Sequence, residues 1–447
     1  MLKFSQWKQM FRGLSMAPAI FILPLLNVAQ AGENGDQCRG INEFVEPFVE
    51  AAMFDGVVMI ERSGETFSCF YGFSNYEHGL RHDVHTRYRI ASVSKLLTDA
   101  AYARLVQQGS LSLDDLISKY LPTFPNADQV TIRQLLNHTS GIAHTNAQPW
   151  GHGRISFSLN EIIKKLAQTP FDFEPGEDRQ YSNGGYAVAA KILEVATGED
   201  YGAAMKTLVF DPLGMSNTGH IADARALMPR MAMGYEPGIA PGLRRHTRFY
   251  AVETRPGGGS LYSTASDMMT FVRALAAGEF VSPAFLQDVM GIEAGKLIQS
   301  EGRSPGFVAK IYRDPALNVN IVSLSNNYSV PADWAKAIAE IVVEPASIPT
   351  WLQLKPSRKK VVRNNPILGR YDSNFGVQVA IKWRDGAVYF EDTENQLRVA
   401  MPLLSDSAFL LPIYYSICRQ NSESRVIQCK ILSGDDRYTQ IYTPIAQ

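Results

Sequence analysis

The chain has 447 residues, 45% of them hydrophobic and 19% charged, with a net charge of −1. That length suits two or three domains, the composition is globular rather than disordered or fibrous, and the near-neutral balance offers no large basic face to nucleic acid.

Residues 1–31 stand apart. Lys3, Lys8 and Arg12 precede the apolar run LSMAPAIFILPLLNVAQA, which ends in Ala29-Gln30-Ala31. A basic start, a short apolar stretch and a small-x-small end predict a signal peptide cleaved near Ala31. Pro18 and Pro24 interrupt the run, which is short for a membrane span. Cleavage would leave a chain of net charge −4, periplasmic or secreted, with no stable membrane span. Four cysteines follow, and an even count in an exported chain permits disulfides. Cys418 and Cys429 flank a polar tip and are placed to close a hairpin, which leaves Cys38 for Cys69. No His, Cys or carboxylate cluster has metal-ligand spacing, and neither metal nor cofactor is expected.

GVVMIERSGETFSCFYG (56–72) reads as two strands about a Ser63-Gly64 turn. YRIASVSKLLTDAAYARLVQQG (88–109) reads as a helix that Ser92 opens and Gly109 stops, with Val93, Leu96, Leu97, Ala100 and Ala103 as its buried stripe. Helical signals dominate residues 112–278. Thr131 with Gln134 and Ser158 with Glu161 fit capping boxes, and glycines bound helices at 184–198 and 264–278. Strands return at 306–327 about Asp314-Pro315, and 331–344 is an amphipathic helix. Strands at both ends of a helical insertion predict an α/β (α+β) body in which early and late strands share one sheet. The stretch 345–366 carries four prolines, and the linker within it, 346–366, leads to an all-β segment, 367–447, whose Asp385-Gly386 marks a hairpin.

Ser92 and Lys95 are three apart, on one helix face, about 5–6 Å between Cβ atoms. A serine hydroxyl needs an adjacent base, and lysine is a base only when burial or nearby positive charge lowers its pKa. Ser-x-x-Lys alone also fits a helix cap with a solvated lysine, and it recurs at Ser5–Lys8 and Ser357–Lys360. Tyr181-Ser182-Asn183 is the chain's sole Tyr-x-Asn. Its phenol can relay a proton and its amide can orient a carbonyl, although the same three residues also suit the start of a helix.

Together with these residues, the segments TRYRIASVSKLLT, TIRQLLNHTSGI, FEPGEDRQYSNGGY, DPLGMSNTG and RPGGGSLYSTASDM resemble the serine β-lactamase and penicillin-binding superfamily over roughly residues 40–345, in its class C β-lactamase, DD-peptidase and esterase branch. The resemblance implies a β-lactamase-like antiparallel sheet flanked by helices, with a helical lobe, over 32–345, and a small β-sheet or barrel after the linker. It implies Ser92 as the acylated nucleophile, Lys95 and Tyr181 as shared general base and acid, and Asn183 as a substrate-orienting amide. The oxyanion hole would use the Ser92 N–H and another near Arg303. His138 is taken as structural, and PGGGS (256–260) as a tight backbone segment near the site.

One departure matters. The family's Lys-Thr-Gly or His-x-Gly is absent; aligning SPGF puts Ser300-Glu301-Gly302 in that slot, as if one strand before it were lost. The carboxylate-recognising cation is then missing unless Arg303 or Lys296 replaces it, with Ser300, Gly302 and Arg303 as the substrate-binding edge. The expectation is an exported, cofactor-free serine hydrolase acting on a small ester or amide. The rivals are a D-Ala-D-Ala peptidase or β-lactamase on peptidoglycan-type substrates, and an inactive binding protein on the same scaffold.

Overall fold

A computed structural model describes residues 35–344, except 239–242, 294, 328–329 and 331–333, and most strands of the segment from 368 onward. The signal-peptide and linker calls lie outside the described residues.

The first two strands, β1 (Gly56–Arg62) and β2 (Glu65–Tyr71), turn at Ser63-Gly64, both with positive φ. Three late strands, β3 (Ile298–Ser304), β4 (Phe307–Asp314) and β5 (Val319–Ser325), complete one antiparallel sheet in the order β3-β4-β5-β1-β2. Early and late strands therefore do share a sheet, with β1 paired to β5 from Gly56 opposite Ser325 to Arg62 opposite Val319. Both faces are covered. Val58 and Ile60 of β1 pack with α1 (Arg39–Glu50) and the helix Trp334–Val343, around the Trp334 ring. Val57 and Met59, on the opposite pleat, pack toward the helical lobe. The Cys38–Cys69 disulfide ties the start of α1 to β2.

The lobe centres on α2 (Ser94–Gln107), which differs from the expected amphipathic helix. It is buried on nearly every side, and Ser92 lies just before it in a 3-10 turn, Ala91–Val93. Leu96, expected in the buried stripe, is half-exposed. Around α2 stand α3 (Ile132–Leu136), α4 (Leu159–Leu166), α5 (Asn183–Thr197), α6 (Ala265–Ala277) and α7 (Pro283–Met290). Thr131 and Ser158 make complete capping boxes with Gln134 and Glu161. Short strands at Gly219–His220, Tyr235–Pro237, Arg244–His246 and Leu261–Ser263 interrupt the region read as helical; each is too brief to show a period of two.

The C-terminal segment forms a nine-stranded antiparallel sheet. Arg384 pairs with Ala387 across the predicted hairpin, and Cys418 sits directly opposite Cys429.

Candidate active site

The turn holding Ser92 is strained: Ala91 has a φ of +46° without being glycine, and such outliers cluster at functional sites. The turn lifts Ser92 to the mouth of a cavity of about 410 Å³, lined also by Lys95, His138, Arg179, Tyr181, Ser300, Glu301 and Arg303. The Ser92 and Tyr181 hydroxyls are hydrogen-bonded at 2.8 Å. Tyr181 reaches it from the loop before α5, where Ser182, not Asn183, is the N-cap and accepts from Gly185 N–H.

Lys95 is 6% exposed. Its Nζ donates to Asn183 Oδ1 and to the Gly258 carbonyl, each at 2.7 Å, and lies 4.6 Å from the Tyr181 ring centre. Burial, helped by the Arg255 charge and opposed by Asp99, pulls its pKa down to about 7. A neutral amine has two N–H bonds and one lone pair. Asn183 and Gly258 account for both hydrogens, which leaves the lone pair for the side where Tyr181 stands. Burial pushes the Tyr181 phenol up, with the Ser92 bond opposing, so it is a neutral phenol able to pass a proton rather than a resident phenolate.

Asn183 is 8% exposed and its oxygen is engaged by Lys95, while its Nδ2 reaches Asn146 at 3.5 Å. This geometry makes it a holder of the lysine. The Pro-Gly-Gly-Gly segment acts in the same way. Gly258 supplies a carbonyl to Lys95, and Gly257, at a φ of +71°, leaves room for the Tyr186 carbonyl, which a Cβ would meet at 2.2 Å.

His138 and His144 both press on Tyr181, with ring centres 4.7 and 5.6 Å from its own. Their Nδ1 atoms accept from the Ser182 and Asn183 N–H groups. Burial, with Lys95 adding to it, lowers them to about 3 and about 4. Neutral at ordinary pH, they brace the Tyr181 loop. Sequence reasoning reached His138 but missed His144.

Strand β3 is an edge of the sheet and packs on the Ser92 turn. The two-residue turn Pro305-Gly306 sets Ser304 opposite Phe307. Hydrogen-bonded pairs alternate along an antiparallel ladder, so Ser304 and Gly302 bond to β4 while the Glu301 and Arg303 N–H groups point off the free edge. The Ser92 N–H, at a helix start, has no intrahelical acceptor. The Arg303 and Ser92 amides are thus able to act as paired donors. Gly302 is required here: a Cβ would lie 2.1 Å from the Ile90 oxygen and 2.9 Å from the Ser92 nitrogen. Gly302→Val is expected to lower kcat by about 100-fold, the scale of losing one oxyanion donor, with a smaller change in KM; initial rates on an activated ester check this.

Ser300 lines the cavity as an uncharged side chain. Glu301 bonds to Lys310 of β4 and to the Arg303 guanidinium. Burial works to raise this acid, but the two cations outweigh it and hold it low. Arg303 also donates to the Val330 carbonyl, so its charge is engaged by the protein itself. α7 occupies the stretch before β3, where a strand seemed lost.

A family model described as Beta-lactamase matches residues 41–341. A Bacillus subtilis protein named for penicillin binding, PbpX, is 30% identical over 246 residues, which are 54% of this chain and 60% of that protein. The teichoic acid D-alanine hydrolase of Staphylococcus aureus is 26% identical over 275 residues, 61% of this chain and 66% of that one. The match therefore spans less than two thirds of either relative. Among solved structures, the D-amino acid amidase of Ochrobactrum anthropi superposes with a TM-score of 0.59 at 23% identity, over 70% of this chain and 97% of that chain. At that identity the likeness shows the fold alone.

Proposed function

The chain belongs to the β-lactamase family, and on that premise we propose that it is a serine hydrolase that cleaves a small ester or amide through an acyl-enzyme on Ser92. The observation that carries the reading is the Ser92–Tyr181 hydrogen bond of 2.8 Å beside a lysine lowered to about 7. Ser92 Oγ attacks the substrate carbonyl while its proton passes through the Tyr181 hydroxyl toward neutral Lys95. The carbonyl electrons move onto oxygen, held by the Ser92 and Arg303 amides. When the tetrahedral centre collapses, the proton returns through Tyr181 to the departing alcohol or amine. Water then repeats the sequence on the acyl-enzyme and frees the acid.

The relative named as a teichoic acid D-alanine hydrolase supports hydrolysis as the reaction. Carboxylate-directed chemistry is less well served. Ser300 is uncharged, and the Arg303 charge is taken up by Glu301 and Val330. An inactive binding protein would have no need of a desolvated lysine beside a hydrogen-bonded serine.

The test is the intact mass of the protein after exposure to an activated ester and, separately, to a penicillin. Ester turnover or an acyl adduct that is absent in Ser92→Ala, with no penicillin adduct, is the expected result. Prompt penicillin labelling at Ser92 would transfer the reading to the D-peptidase or β-lactamase rival, and inertness to both reagents would transfer it to the binding protein.

A further inference from the structure

Ser92, Lys95, Leu96 and Asp99 all line the one cavity of about 410 Å³. Lys95, Leu96 and Asp99 share one face of α2, and Ser92 stands in the turn just before it. Seven residues at 1.5 Å each carry that wall about 10 Å from the nucleophile to Asp99. Across from it stand Leu136, Tyr186, Val289 and Met290. The cavity thus has an apolar stretch of wall beside Asp99, while Lys95, Arg179, Glu301 and Arg303 place charged groups elsewhere on its lining.

Asp99 is 3% exposed. Its Oδ1 accepts from the Tyr186 hydroxyl at 2.8 Å, and among the described residues no hydrogen bond reaches Oδ2, on a side chain that lines the cavity. Tyr186 also reaches the Leu136 carbonyl at 3.0 Å, so its hydroxyl would be satisfied without an acid. Lys95 makes no bond to Asp99; its Nζ is turned to Asn183 and Gly258. Glu301, the other carboxylate on the cavity, is held by Lys310 and Arg303. Asp99 is therefore the carboxyl left with an oxygen for a ligand. Burial raises the Asp99 pKa, with the Tyr186 hydrogen bond and the Lys95 charge opposing, and a cationic ligand at Oδ2 would favour the ionised carboxylate.

We propose that Asp99 is a specificity-determining residue that selects acyl groups ending in an ammonium or guanidinium, the acyl chain running from Ser92 along α2 so that its cation meets Asp99 Oδ2. The inference rests on the serine-hydrolase reading for the point of attachment. An ion pair of about 2.8 Å at the end of the 10 Å wall leaves room for about five chain atoms beyond the carbonyl. The 6-aminohexanoyl group has that length, and heptanoyl is its uncharged counterpart.

The experiment compares kcat/KM for p-nitrophenyl 6-aminohexanoate and p-nitrophenyl heptanoate in the wild type and in Asp99→Asn. The wild type is expected to prefer the amino ester, and the preference ratio is expected to fall about 100-fold in the variant. The ratio is internal to each protein, so a partly unfolded preparation does not change it. A wild type that prefers heptanoate, or a ratio unmoved by Asp99→Asn, overturns the proposal while leaving the hydrolase reading intact. If neither ester is turned over, the hydrolase reading fails, and calorimetric titration of Ser92→Ala with hexylamine and with hexanol decides the site. Hexylamine binding that disappears in Ser92→Ala/Asp99→Asn supports it, and equal or absent binding of the two probes overturns it.

Discussion

Ser92→Ala is expected to lower kcat on an activated ester by about 10⁴-fold or more and to leave the melting temperature within a few degrees of wild type. The two halves of this expectation come from the same geometry. Among the described residues the Ser92 hydroxyl hydrogen-bonds to Tyr181 alone, so its removal costs one hydrogen bond at a half-exposed position. Everything that prepares the site for reaction converges on that oxygen: the strained Ala91, the edge amide of Arg303, and the phenol backed by Lys95. A residual rate from the amide pair alone would survive, so the variant should remain above the uncatalysed reaction. Progress curves with and without the substitution, alongside calorimetric melting, check both halves. A variant that keeps a tenth or more of wild-type kcat would remove Ser92 from the chemistry.

The parts legible in the sequence were those set by local rules. The i, i+3 spacing of Ser92 and Lys95, the two capping boxes and the Ser63-Gly64 turn each depend on a few neighbouring residues, and each appears in the fold. The shared sheet followed from strands at both ends of the chain. What was not legible depends on packing across long separations. Nothing near Lys95 indicates that its amine would be held by Asn183, 88 residues later, and Gly258, 163 residues later. Asn183 reads as a substrate amide because its side chain could serve either purpose. Nothing near Glu301 in the sequence indicates that Lys310 sits on the next strand, directly opposite in the register. Asp99 carried a signal that went unused. It stands in LLTDAAYARL, where an acid between apolar residues breaks the pattern of a helix buried on nearly every side. The His144 contact with Tyr181 had no local signal at all.

Lys95→Met is expected to lower kcat/KM by about 10³-fold, the scale of a lost general base, and to change the shape of the pH profile as well as its height. On the proposed mechanism, Lys95 accepts the serine proton only when neutral. With its pKa near 7, the rate should rise about tenfold per pH unit below neutrality and level off above it. No second limb is expected until alkaline pH, because burial holds the Tyr181 phenol above its ordinary value. The two histidines beside Tyr181 offer no alternative source for the acidic limb, since burial puts them at about 3 and about 4. The variant should therefore lose the limb near 7, leaving a residual rate that is flat through that range or that rises only with hydroxide. Methionine also leaves the Asn183 oxygen and the Gly258 carbonyl without their donor, so some loss of melting temperature is expected and is separable from catalysis by the profile. A limb that persists near pH 7 in Lys95→Met would mean that the titrating base is another group, and the lone pair facing Tyr181 would lose its assigned role.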